Sequence, residues 1–242
     1  MKTVSYKVSL LATTALVLSG CVTVTDGEPQ TASDPIAMAE SRISLGLGYL
    51  ENRNMVKARE NLELAVRHSP NYYRSHLSMA HYYEVVSEYN KARASYEVAL
   101  RHDSRNGNVL NNYGTFLCKQ GEFVQADRYF NKAIQQPYYY LVSASYENAG
   151  FCALKAQHIE KATAYFQRAL AHDPNRVRST LQLANLEVTN AQYNDARLRL
   201  LRFHKRYGYQ ITSLQILIRL ESLTGNTVLE KKYREQLTKM QG

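Results

Sequence analysis

The 242-residue sequence is short of almost everything that catalysis, metal binding or membrane spanning needs. It offers no local Ser-His-Asp pairing, no glycine-rich loop to cradle a phosphate and no convergent carboxylates, so neither an enzyme nor a small-molecule substrate or cofactor is expected. Basic residues are plentiful, giving a formal net charge of +9, but they are scattered and form no runs. That distribution argues against nucleic acid and for solvated helix faces, or for attraction to acidic head groups or an acidic partner. Cysteine is scarce, with three in the whole chain. The apolar run Val8 to Leu18 is eleven residues long, well short of the roughly 20 that carry a helix across a bilayer.

That short run is informative in its setting. Met1 to Lys7 holds two lysines and no acid, which makes a charged leader before an apolar core. The segment Leu18-Ser19-Gly20-Cys21 then resembles the lipobox of bacterial lipoproteins. The resemblance implies cleavage before Cys21, a diacylglyceryl group on its sulfur and acylation of the new amino terminus. The alternative is that Cys21 is only a small residue near an ordinary cleavage site. Several acyl chains at ~0.8 kcal/mol per buried CH₂ would anchor the mature chain stably. Val22 and Thr23 follow the cysteine, where lipoproteins kept at the inner membrane commonly carry Asp, so the expected location is the periplasmic face of the outer membrane. Loss of residues 1–20 also removes Lys2 and Lys7 from the charge. Residues 21–38 have turn formers and no apolar period, so they are expected to be a tether. A helix start is legible at Ser33-Asp34-Pro35, with Asp34 as cap and Pro35 at the first helical position.

From residue 39 the chain repeats itself. Ala58-x3-Leu62-x2-Ala65 recurs at Ala92-Tyr96-Ala99, Ala126-Phe130-Ala133, Ala162-Phe166-Ala169 and, more weakly, Ala196-Leu200-Phe203. Successive units begin 34, 34, 36 and 34 residues apart. Twelve residues before each first alanine stands another small residue: Gly46, Ala80, Gly114, Gly150 and Ala184. Small residues at these places let two helices approach while a large one fills the gap, and Pro70 and Pro174 close two units. Together these features resemble the tetratricopeptide repeat, a helix-turn-helix unit. A sixth pair, Ile211 to Met240, keeps the spacing without the alanines, as a terminal cap would. The expected fold is an all-α right-handed solenoid of six helix pairs, with repeats near 39–72, 73–106, 107–142, 143–176, 177–210 and 211–242.

The repeat also disposes of a tempting metal site. His68, His102 and His172 occupy one position in three units and so lie apart, while His76 and His81 are five residues apart and face different ways. Function is expected on the inner surface, lined by the first helix of each pair. By register its positions are Glu40, Ile43, Leu47 and Leu50 in the first repeat and Arg74, Leu77, His81 and Glu84 in the second. The third (Asn108, Asn111, Thr115, Cys118) and sixth (Thr212, Gln215, Arg219, Ser222) are polar by comparison. Ile43, Leu47, Leu50 and Leu77 are therefore expected to form an apolar slot for an amphipathic helix or short apolar peptide. The alternative is that the tether folds back through Ile36 and Met38 and covers them. Cys118 and Cys152 fall in the first helices of neighbouring repeats, and export would favour a bridge between them; two buried free thiols are the other reading.

The block Asn111-Asn112-Tyr113-Gly114-Thr115-Phe116-Leu117-Cys118-Lys119-Gln120-Gly121, followed by Pro137-Tyr138 and Glu147-Asn148-Ala149-Gly150-Phe151-Cys152, is more specific than the alanine register. With the lipobox and the repeats it resembles the PilF/PilW family of type IV pilus biogenesis lipoproteins. The resemblance implies a pilotin, an outer-membrane lipoprotein without catalytic activity that binds the pilus secretin and promotes its localisation and multimerisation. A tetratricopeptide lipoprotein adaptor for β-barrel assembly or cell-wall hydrolases is the alternative.

Overall fold

A computed structural model of the protein describes residues 34–241. Cys21 and the tether as far as residue 33 lie outside the described residues. Among these there are twelve helices in six successive hairpins: α1 (Pro35–Glu51) with α2 (Met55–His68), α3 (Tyr73–Val85) with α4 (Tyr89–His102), and α5 (Gly107–Lys119) with α6 (Phe123–Ile134). Then follow α7 (Val142–Lys155) with α8 (Ile159–His172), α9 (Val177–Thr189) with α10 (Tyr193–Tyr207), and α11 (Ile211–Leu223) with α12 (Thr227–Gln241). This is the six-pair tetratricopeptide solenoid that the register predicts. None of these helices is long and apolar enough to cross a membrane.

The first helix begins at Pro35, inside the segment expected to be tether. Asp34 caps it, its carboxylate accepting the Ile36 N–H at 2.9 Å. Ile36 and Met38 are thus part of α1 itself, upstream of Ile43 on the same rigid rod, and cannot fold back over it.

The alanine register works through close contact. All five leading alanines, from Ala58 to Ala196, are fully buried. A Cβ added at Gly46 would lie 2.6 Å from Leu62, and one at Gly150 would lie 2.7 Å from Phe166. The small residue of each first helix therefore receives the large residue of the second. Each turn within a hairpin uses one left-handed residue at one position: Arg53, Ser87, Gly121, Gln157, Ala191 and Gly225. Only two of the six are glycine, so the turn geometry is imposed by the packing of the two helices more than by local preference.

The two extra residues between the third and fourth units form a knot of tyrosines. Tyr139 lies over Gly107, where a Cβ would come within 2.3 Å of its ring, and its hydroxyl is 3.0 Å from Ser145 Oγ. Ser145 and Asn148 both donate to Asn111 Oδ1, at 3.0 and 3.1 Å. Tyr138, at positive φ, and Tyr140 are left exposed. A chain of buried rings and aliphatics runs unbroken from Ala80 to Leu186, and a second cluster around Leu214, Leu217 and Leu220 closes the array with Tyr233 of α12.

Candidate partner-binding face

The inner face of the first three repeats carries two adjoining hollows of about 430 and 400 Å³ that share Leu47 and Arg74. Leu47 and Leu77 are half-buried and line this surface. Of the other two residues expected in the slot, Ile43 borders one hollow but is nearly covered, and Leu50 is buried away from both. Ile43 is 2% exposed and packs with Ala39 and Ala65; Leu50 is 6% exposed and packs with Leu62, Met79 and Tyr82. They sit at the edge of the helical arc, where the second helix of the repeat and the following α3 take up their side chains. The slot is therefore narrower than the register suggests, centred on Leu47 and Leu77 with Gly48 as an open floor: a Cβ there would meet nothing within 4 Å.

Its polar rim is already satisfied. Glu40 accepts from the Tyr72 hydroxyl and pairs with Arg74 at 2.9 Å. Glu84 accepts from the Tyr96 hydroxyl and pairs with Lys119 at 2.7 Å. Burial, and then the neighbouring Glu40, push the Tyr72 phenol up to about 12, while burial and Glu84 push Tyr96 higher still. Both phenols thus stay protonated donors. An incoming chain meets two leucines between neutralised ion pairs, a surface suited to apolar side chains and indifferent to a strong charge of either sign.

The Sγ atoms of Cys118 and Cys152 are joined, with Cα atoms 5.8 Å apart, which ties α5 to α7 across the tyrosine knot. Tyr165 reinforces the same junction: it donates to Asp127 at 2.7 Å and accepts from Asn131 at 2.9 Å, and burial with the Asp127 carboxylate raises it to about 12. Among the described residues no group of three metal-ligating side chains converges. His76 and His81 diverge as expected, but His76 stacks on His102 of its own repeat with ring centroids 5.4 Å apart. His172 stacks at the same distance on Tyr146, which occupies the His76 position two repeats on.

Sequence reasoning passed over a row of buried serines. Ser75, Ser145, Ser179 and Ser213 hold one position in four first helices and are fully buried. The signal was present in their common spacing. It also passed over three buried carboxylates: Glu147 accepts from the Ser179 hydroxyl at 2.8 Å, Glu187 forks with Arg199 at 2.6 to 3.1 Å, and Glu221 with Arg197 at 2.8 and 2.9 Å.

No family model matches the chain. The type IV pilus assembly protein PilF of Pseudomonas aeruginosa is 31% identical over 235 residues, which cover 97% of this chain and 93% of that one. A solved structure of Pseudomonas aeruginosa PilF superposes with a TM-score of 0.75 at 30% identity, over 85% of this chain and 93% of the other. The structure of PilW, a widely conserved type IV pilus biogenesis factor, follows with a TM-score of 0.73 at 25% identity, over 82% and 91% of the two chains. Identity of 31% that runs nearly the length of both chains is membership and not mere likeness of fold: the chain belongs to the PilF/PilW family of tetratricopeptide-repeat proteins of type IV pilus biogenesis.

Proposed function

We propose that this protein is a lipid-anchored pilotin that binds the type IV pilus secretin and promotes its localisation to the outer membrane and its multimerisation, without catalysing a reaction. The observation that carries the reading is the end-to-end match to PilF. The lipobox ending at Cys21 and the narrow slot around Leu47 and Leu77 agree with it. Acyl chains on Cys21 hold the solenoid at the periplasmic face of the outer membrane, and the slot captures an apolar segment of a secretin subunit. Tethering then converts encounters between subunits into events on one surface at raised effective concentration, which promotes ring assembly without chemistry.

The test is genetic and biochemical. In a deletion strain, secretin multimers are followed on a gel that preserves them after inner and outer membranes are separated. The wild-type gene restores outer-membrane multimers and Cys21→Ala does not. Gly48→Glu fills the slot at a position with free space and also fails to restore them. Normal secretin assembly in the deletion strain would overturn the pilotin reading; rescue by Gly48→Glu would overturn only the slot.

A further inference from the structure

A further hollow of about 570 Å³ is not on the inner face. It is a furrow between the second helices α8 and α10, floored by Thr180, Leu183 and Glu187 of α9. Those three alternate with the register positions that α9 turns to the inner face, Arg178, Leu181, Asn185 and Val188, so the furrow opens on the opposite side of the solenoid.

Its chemistry differs from that of the slot around Leu47. The lining is mixed: Leu170 and Leu198, the latter still 48% exposed, stand among Gln167 and Thr180, with Leu183 and Phe203 nearly covered beneath them. The rim is basic. Helix α10 carries Arg197, Arg199, Arg202, Lys205 and Arg206 against the single acid Asp195. Arg197 and Arg199 are turned inward and engaged with Glu221 and Glu187. Arg202 and Arg206 line the furrow, are exposed, and among the described residues have no carboxylate within 4.0 Å. Asp195 lies a full two turns of helix before Arg202. The Glu187 carboxylate on the floor is occupied by Arg199 and offers no competing charge.

Two guanidiniums without a carboxylate partner among the described residues, Arg206 lying over the Tyr207 ring, stand one helical turn apart beside the exposed Leu198 and are complementary to a carboxylate-bearing chain with apolar side chains. We propose that this furrow is a second docking site, for a segment of a partner protein that alternates acidic and apolar residues. Its carboxylates bind Arg202 and Arg206, and its apolar side chains enter between Leu170, Leu183 and Leu198. A recessed trough favours such a segment over a lipid surface, which would need a protruding face. The proposal does not depend on what the inner slot binds, and it would let one solenoid hold two segments at once on opposite sides.

The probe is a short fluorescein-labelled peptide in which Glu and Leu alternate, titrated with the full-length protein and read by anisotropy. Saturable binding is expected. The double variant Arg202→Glu/Arg206→Glu, folded by circular dichroism because neither side chain is buried, should weaken it roughly tenfold or more. Leu198→Asp should weaken it too, Gly48→Glu should leave it unchanged, and a peptide with Ser in place of Leu should bind less well. Absence of saturable binding, or equal binding by the charge-reversed variant, overturns the proposal. Arginine-dependent binding to phosphatidylglycerol vesicles with no preference for the leucine peptide over its serine counterpart also overturns it, in favour of a headgroup site.

Discussion

One register position, three residues after the small residue in the first helices of the first five repeats and after Ile218 in the sixth, separates the first four repeats from the last two. It holds Tyr49, Tyr83, Leu117 and Ala153 in the first four repeats, and Glu187 and Glu221 in the last two. The early repeats join through rings, small residues and the Cys118–Cys152 bridge; in the last two an apolar cluster around Leu214 and Leu217 is supplemented by buried carboxylates, Glu187 clamped by Arg199 within the fifth hairpin and Glu221 by Arg197 across α10 and α11. The backbone repeat is the same in both. The shared helical hairpin fixes where neighbours touch, therefore, and leaves open whether a disulfide or buried ion pairs reinforce the apolar contact. The two solutions should fail differently.

The largest expected effect is in the late half. Arg197→Ala would leave Glu221, 0% exposed, without its counter-charge, and removing one partner of a buried pair typically costs about 3 to 5 kcal/mol. Replacing both partners, as in Arg197→Met/Glu221→Leu, should restore most of that stability, because an apolar pair of similar volume does not bury a charge. Urea unfolding of the three proteins measures both. If Arg197→Ala were as stable as wild type, the ion pair would not be what joins α10 to α11.

In the early half the equivalent fastener is covalent. The bridge spans 34 residues, and removing it by Cys118→Ser should cost about 2 to 4 kcal/mol through the freed unfolded chain. A thiol assay on unfolded, unreduced protein should find neither Cys118 nor Cys152 free. Two free thiols, with unchanged stability in Cys118→Ser, would transfer the whole burden to the rings.

A smaller contrast lies within the first helices. At Gly150 an added Cβ runs into the Phe166 ring, so Gly150→Ala should destabilise by about 1 to 3 kcal/mol through overpacking. Gly48 has open space beside it, and Gly48→Ala should stabilise by up to ~1 kcal/mol from helix propensity alone. Thermal melts of the two variants moving in opposite directions would distinguish glycines that admit a neighbour from the one that leaves a hollow.

These residues show where sequence reasoning reached and where it stopped. Gly150 and Phe166 were legible because close helix approach demands a small residue at fixed spacing, and spacing is visible in one dimension. Leu47 and Leu77 were legible as inner-face positions for the same reason. Ile43 and Leu50 were not distinguishable from them, since register says which way a residue points and not how far the next helix reaches across it. The furrow was less legible still. Leu198, Arg202 and Arg206 read as a solvated face of α10, and only its placement beside α8 over α9 turns that face into a trough. The buried Glu187 and Glu221 look like surface charges until Arg199 and Arg197, twelve residues after one and 24 before the other, fold over them.

The smallest expected effect sharpens the comparison through pH. Burial lowers the basicity of two histidines, His76 in the early half and His204 in the late half. At His76 the loss is partly offset, because Nε2 donates to the Pro70 carbonyl at 2.6 Å and so favours the charged ring. At His204 burial alone sets the direction. Its Nε2 lies 2.7 Å from Ser213 Oγ, whose own proton is given to the Gln210 carbonyl at 2.8 Å, so the imidazole must be the donor there. That leaves Nδ1 as a bare, buried lone pair with no partner among the described residues. Protonating it would place an N–H in a site with no acceptor, which holds the folded-state value below the ordinary 6.5. The unfolded chain then binds more protons than the folded one as pH falls below 6.5, so stability is complete above that pH and declines below it. Urea titrations at neutral and mildly acidic pH should show a steeper loss in wild type than in His204→Gln, with His76 contributing equally to both. Identical acid slopes in the two proteins would mean that the α10–α11 junction, for all its charge, carries no proton-linked weakness.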